Sequence, residues 1–205
     1  MAALEERFPL FPLEIVLLPT EIVPLHIFEE RYKLMIGRCI EDESEFGIVW
    51  LSDDGLKDVG CTARVAQVLD RMDDGRMNIL AQGRRPFRML RRIEDMPFPA
   101  GDVEYLDDED DGPEDLLATA REAYADLVER VTDKRPGIDE LDGLDAYGMA
   151  ATIELAPAPK QMLLEERSEG KRLKAVGDLF STALERIDKA EEAQERARSN
   201  GKVRF

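Results

Sequence analysis

Apolar positions in the first fifth of the chain are interrupted by proline, and after Phe28 they change period. Pro9, Pro12, Pro19 and Pro24 each remove a backbone donor and fix φ, which bars them from helix interiors and central strands. Ile15 to Leu18 nevertheless reads as a buried strand, so short strands joined by tight corners are expected there. Past Pro24, Phe28, Tyr32, Met35, Ile36 and Cys39 recur at helical spacing. Glu29, Glu30, Lys33 and Arg38 take the opposite face, which predicts an amphipathic helix. Phe46 to Leu51 predicts a buried strand closed by the turn Asp53-Asp54-Gly55. Thr62 to Met72 and Arg76 to Gln82 flank Asp73-Asp74-Gly75 as a hairpin, with Met77, Ile79 and Ala81 on one face. Gly83 permits a kink, after which Phe87 to Ile93 predicts another strand; Val103, Tyr105 and Leu106 predict a last short one.

The acidic run Asp107 to Asp111, closed by Gly112-Pro113, then marks a boundary between a β-rich subdomain, 1–111, and an α-helical subdomain, 112–205. Leu116, Leu117, Ala120, Tyr124, Leu127, Val128 and Val131 follow helical spacing until Arg135-Pro136-Gly137 stops them. A second helix is predicted over Leu144 to Leu155, a third from Pro157 to Pro159 onward, and a long fourth from about Gly170 toward Arg198. Leu173, Val176, Leu179, Phe180, Ala183, Leu184 and Ile187 give the fourth one apolar stripe. Beyond Ile187 it fades into a solvated helix and a frayed tail. Short strands with one early helix, then helices alone, define the α+β class.

The run FPLFPLEIVLLP from Phe8, followed by PLHIFEERYKLMI from Pro24, resembles the opening signature of the Lon protease N-terminal substrate-binding domain family, which also occurs as free-standing proteins. Val59 to Val65, Asp74 to Leu80 with Gly83 and Arg84-Arg85-Pro86-Phe87-Arg88, and Pro159 to Glu165 match further family segments in the same order. Where the family usually carries Pro-Gly, this chain has Pro19-Thr20. The resemblance implies a PUA-like β pseudo-barrel with one early helix, followed by an α-helical bundle. It also implies a non-catalytic polypeptide-recognition module, an adaptor or scaffold for protein quality control whose partner is an unfolded or tagged polypeptide.

At 205 residues and 43% hydrophobic content, one compact domain with two subdomains is expected. A net charge of −17 opposes partners held mainly through phosphates, nucleic acid and anionic lipid alike, and also serves general solubility. No apolar run approaches the roughly 20 residues that span a bilayer. The N-terminus MAALEERFPL is acidic where a signal peptide is basic, so a cytoplasmic location and no membrane partner are expected. Cys39, on the predicted helix, and Cys61, at a strand start, form neither a CxxC motif nor a His cluster. They read as reduced, partly buried thiols, and neither metal nor cofactor is expected.

Full-length Lon enzymes join an ATPase to a Ser-Lys peptidase, and the motifs of both are missing. Gly170-Lys171 and Gly201-Lys202 lack the rest of a phosphate-binding loop, and the serines stand in polar contexts typical of caps and loops. His26 is the sole histidine and reads as structural. No catalytic residue is expected. Leu25, His26, Phe28, Tyr32 and Phe87 are candidates for an apolar polypeptide-binding surface, with burial in the core as the competing reading. A second reading assigns the strand from Arg84 to Arg92 to RNA, with Arg84, Arg85 and Arg88 on phosphates and a base stacked on Phe87. Its alternative is a strand whose arginines pair with surrounding acids. A homodimer is also compatible with the sequence.

Overall fold

In the computed structural model residues 4–200 are described, so the expected frayed end, residues 201–205, lies outside the described residues. The first half comprises β1 (Leu4–Leu13), β2 (Ile22–Ile27), α1 (Glu30–Glu41), β3 (Phe46–Ser52), β4 (Gly55–Arg71), β5 (Met77–Ile93) and β6 (Ala100–Tyr105). The helical half comprises α2 (Glu114–Thr132), α3 (Ile138–Leu141), α4 (Ala146–Ala151), α5 (Pro157–Glu165) and α6 (Glu169–Asn200). All six strands belong to one sheet ordered β2-β5-β4-β3-β1-β6, and β5 also pairs with β6. That pairing closes β5, β4, β3, β1 and β6 into a ring with β2 attached outside it. This is an α+β fold with a β pseudo-barrel.

β5 makes the closure possible by changing neighbours along its length. Its first part, Met77 to Gln82, pairs with β2, and from Phe87 onward it pairs with β6. Gly83 lies where one neighbour gives way to the other. Its N–H donates to the Glu21 carbonyl at 2.9 Å and its carbonyl accepts from the Thr20 N–H at 3.0 Å. A β-carbon there would collide with the Leu18 carbonyl oxygen, so only glycine admits this crossing. The kink expected at Gly83 does not divide the strand, because β4 continues alongside it and pairs Ala63 with Gly83.

Further expectations are corrected. Ile15 to Leu18 is a loop, although Val16, Leu17 and Leu18 are buried; the Leu18 N–H donates to the Glu21 carboxylate, and the Leu18 carbonyl accepts from the Glu21 N–H. The expected short strand is found at β2, where Pro24 is tolerated because β2 is an edge with β5 as its single neighbour, whereas Phe28 precedes α1 rather than lying on it. Cys61 lies inside β4 rather than at its start, and it and Cys39 are fully buried. In the helical half, α4 is shorter than expected. The Asp145 carboxylate caps its start through the Gly148 N–H at 2.7 Å, and Thr152 closes its end on the Met149 carbonyl at 2.9 Å. α3 was not anticipated.

Two buried clusters hold the molecule together. The smaller fills the barrel with Phe8, Leu10, Val49, Phe87, Met89, Val103 and Tyr105. The larger runs without a break from the sheet and α1 (Phe11, Tyr32, Met35, Cys61, Ile79) to the helices (Tyr124, Tyr147, Leu163, Leu164, Phe180). The acidic segment before α2 is bound rather than free. Arg172, 1% exposed, reaches Asp108 and Glu169, donates to the Glu166 carbonyl at 2.6 Å and lies over the Tyr147 ring at 4.4 Å. The Asp110 carboxylate accepts from the Gly170 N–H at the start of α6, where anionic charge is favoured.

Candidate functional site

The end of β1, the β2 to α1 junction and the end of β3 surround a cleft of about 670 Å³ lined by Phe11, Pro12, Leu13, Glu14, His26, Ile27, Phe28, Glu29, Arg31, Tyr32, Leu51 and Pro99. Its floor is built from α1 and β1. The helical period that buries Met35 and Ile36 also turns Tyr32 inward, 6% exposed, where its ring stacks on Phe11 at 4.2 Å. Burial, the largest influence on the Tyr32 hydroxyl, pushes its pKa upward, so the ring is a neutral floor.

Two apolar residues of the rim are open to solvent. Phe28 stands between β2 and α1 with 59% of its surface exposed, and Leu51, at the polar end of β3, is 46% exposed. One face of Phe28 is held by the His26 ring, 5.8 Å away at 20°. The His26 Nδ1 is 2.7 Å from the Asn78 side-chain oxygen across the β2–β5 pair, which fixes the imidazole in place. Beside them Glu29 and Arg31 form an ion pair at 2.8 Å, and the Arg31 guanidinium lies 4.6 Å from the centre of the Tyr32 ring. The lining thus joins aromatic and aliphatic side chains to a matched Glu29–Arg31 pair. The partner of the only histidine is an amide, and burial raises both cysteine thiols above their usual range, Cys61 the more strongly. Among the described residues no group of three or more His, Cys, Asp or Glu is placed to hold a metal ion.

The structure brings His26, Phe28 and Tyr32 together here, whereas Leu25 is half-buried and packs on the large core. Phe87 is elsewhere: at 0% exposed it fills the barrel interior, edge-on to Phe8 at 5.8 Å, so no base can stack on it. Arg84, Arg85 and Arg88 project from the outside of the same strand. Arg84 faces Glu45 at 3.8 Å, Arg88 pairs with its cross-strand neighbour Glu104 at 3.4 Å, and Arg91 pairs with Asp102 at 2.6 Å. Arg85 lies 3.4 Å over the Tyr105 ring, whose hydroxyl donates to Glu5. Three of the strand's five arginines, Arg84, Arg88 and Arg91, thus face an acid. Sequence reasoning missed Phe11, Leu13, Glu14, Leu51 and Pro99. The usable signal was Leu51, an apolar residue outlasting its strand's buried run beside Asp53-Asp54-Gly55.

A family model described as the ATP-dependent protease La (LON) substrate-binding domain matches residues 7–182. The chain belongs to that family. It is 26% identical to the Lon protease of Paraburkholderia phytofirmans over 89% of this chain and 25% of that protein. It is also 26% identical to the Lon protease of Trichlorobacter lovleyi, over 94% of this chain and 26% of that protein. The chain thus spans about a quarter of the length of these curated relatives. The crystal structure of a Lon N-terminal domain protein from Xanthomonas campestris superposes with a TM-score of 0.63 at 26% identity, covering 82% of this chain and 94% of that one. The N-terminal domain of the Mycobacterium avium complex Lon protease shares the fold, with a TM-score of 0.64 at 22% identity over 86% of this chain and 98% of that one. At the corner where the family usually has glycine, Thr20 stands in the left-handed region at φ 68°. No helix among the described residues is long and apolar enough to cross a membrane.

Proposed function

We propose that this chain is a non-catalytic polypeptide-recognition module that seats an apolar side chain of an unfolded or tagged polypeptide in the Phe28 cleft. It would serve in the cytoplasm as an adaptor or scaffold for protein quality control. The observation that carries this reading is the exposed Phe28 ring, held by His26 at the mouth of a cleft floored by stacked aromatics, in a chain of the Lon substrate-binding family. A soluble protein that keeps a large aromatic side chain in water beside a concave apolar surface has a surface suited to an apolar partner.

The reading is tested by fluorescence anisotropy with labelled, unstructured apolar peptides and Phe28→Ala. Losing the contact of a buried phenylalanine, about 1.5–3 kcal/mol, weakens binding roughly ten-fold or more. Binding needs no ATP and survives moderate salt. Equal affinity of Phe28→Ala and the unaltered chain would exclude this cleft. Capture of RNA in preference to peptide would overturn the reading and return attention to the arginines of β5.

A further inference from the structure

We infer that the cleft selects apolar segments flanked by arginine or lysine over those flanked by acids, an inference that rests on the polypeptide reading above. The charges around the cleft do not cancel. Glu29 is matched by Arg31 at 2.8 Å, but Glu14 also lines the cleft, is exposed, and takes part in no ion pair among the described residues. Asp53 and Asp54, two and three residues beyond Leu51, are exposed as well. The start of α1 by itself favours an anion; Glu29 at its cap and Glu30 in its first turn oppose that effect. Glu30 is in turn matched by Lys33 at 2.5 Å. The charge left over at the mouth is therefore negative, in a chain of net charge −17.

Phe28 adds a second element. Its ring lies 5.8 Å from the His26 ring at 20°, and with 59% of the residue in water it is accessible to a cation. A guanidinium laid there gains a cation–π contact, and Glu14, which lines the same cleft, supplies an opposite charge. The apolar side chain next to it in the polypeptide enters between Leu13 and Leu51, above the Tyr32 ring. Unfolded chains with basic residues next to aliphatic or aromatic ones fit both halves of this surface. The long-range field of the acidic protein speeds their approach.

The experiment compares three labelled peptides with one apolar centre and arginine, serine or glutamate flanks. Each is titrated by anisotropy into the unaltered chain, Glu14→Gln, Glu14→Lys and Phe28→Ala, at low and moderate salt. The arginine-flanked peptide is expected to bind about three- to ten-fold tighter than the serine one, and the glutamate-flanked peptide weaker than both. Glu14→Gln is expected to reduce the arginine advantage by about two- to five-fold, the scale of one exposed ion pair. Glu14→Lys removes it, and salt narrows it in the unaltered chain. Equal affinity for all three peptides, preference for the glutamate flank, or an arginine advantage untouched by either Glu14 variant would overturn the inference while leaving apolar recognition standing. Failure of all three peptides to bind the unaltered chain would overturn the polypeptide reading itself, and the inference with it.

Discussion

Gly47 on β3 and Gly60 on β4 both face the Phe87 ring, and a β-carbon built on either would lie 2.6 or 2.8 Å from it. The ring occupies space that two glycines leave open, so the barrel interior depends on one aromatic side chain. Phe87→Ala should cost about 3–5 kcal/mol in urea unfolding, from lost transfer energy and the cavity left behind. The folded fraction should still bind peptide, because Phe87 and the Phe28 cleft belong to different clusters. Thr20 supplies the opposite case. With Pro19 before it and the Glu21 N–H bonded to the Leu18 carbonyl at 3.2 Å, it occupies the position of a type II turn that favours glycine. Thr20→Gly relieves about 1–2 kcal/mol of left-handed strain and returns about 0.5–1 kcal/mol through a looser unfolded chain. A net gain of about 1 kcal/mol is expected in the same assay. Pro19-Thr20 is visible in the sequence as a departure at a corner. The partnership of Phe87 with Gly47 and Gly60 is not, because it joins residues from three strands whose register periodicity cannot give.

The acidic segment from Asp107 to Asp111 and the first turn of α6 act as one element. Asp110 has its carboxyl held below the usual range, first by the Ser168 hydroxyl and then by the Gly170 N–H. Asp102 is held low first by Arg91 and then by the Arg7 N–H. Each group therefore binds a proton less readily in the folded chain than in the unfolded one. Their stabilisation is present above the ordinary aspartate value of 3.8 and is lost as pH falls through the lower, folded value. The thermal midpoint should fall with acid below about pH 4, and Asp110→Asn should make that fall shallower. Element-level features were legible where signals were local: the hairpin at Asp73-Asp74-Gly75, the α1 stripe and the proline start of α5. They were not legible where tertiary contacts decide. The loop from Val16 to Leu18 has a strand's composition, but Glu21 takes the hydrogen bonds of Leu18, its carboxylate accepting from the Leu18 N–H and its own N–H donating to the Leu18 carbonyl. The pairs Arg88–Glu104 and Arg91–Asp102 follow from β5–β6 register, which a run of arginines does not reveal.

Across the whole molecule, a net charge of −17 means that folding gathers like charges, and screening should relieve part of that cost. Raising ionic strength from about 10 mM to about 150 mM shortens the Debye length from about 30 Å to about 8 Å. The thermal midpoint should rise by a few degrees, and a flat or falling midpoint would show that local pairs outweigh the net field. We propose that the residue 111/112 boundary separates subdomains, since every strand and α1 precede it and the remaining helices follow it. Limited proteolysis that cuts first near Asp111 and leaves the two pieces associated through their common core would support that division, and first cleavage elsewhere would overturn it.

The ring that β5 and β6 close has a consequence for synthesis. Its last strand ends at Tyr105, and the Arg7 N–H meets the Asp102 carboxylate across 95 positions of sequence. A ribosome must therefore release the first half of the chain before any barrel can form, and such distant pairing is slow. When that half is out, the helices that share a core with Val59 and Cys61 are still to come. A nascent chain paused there displays an uncovered apolar face, the kind of segment that a module of this family is proposed to recognise in others.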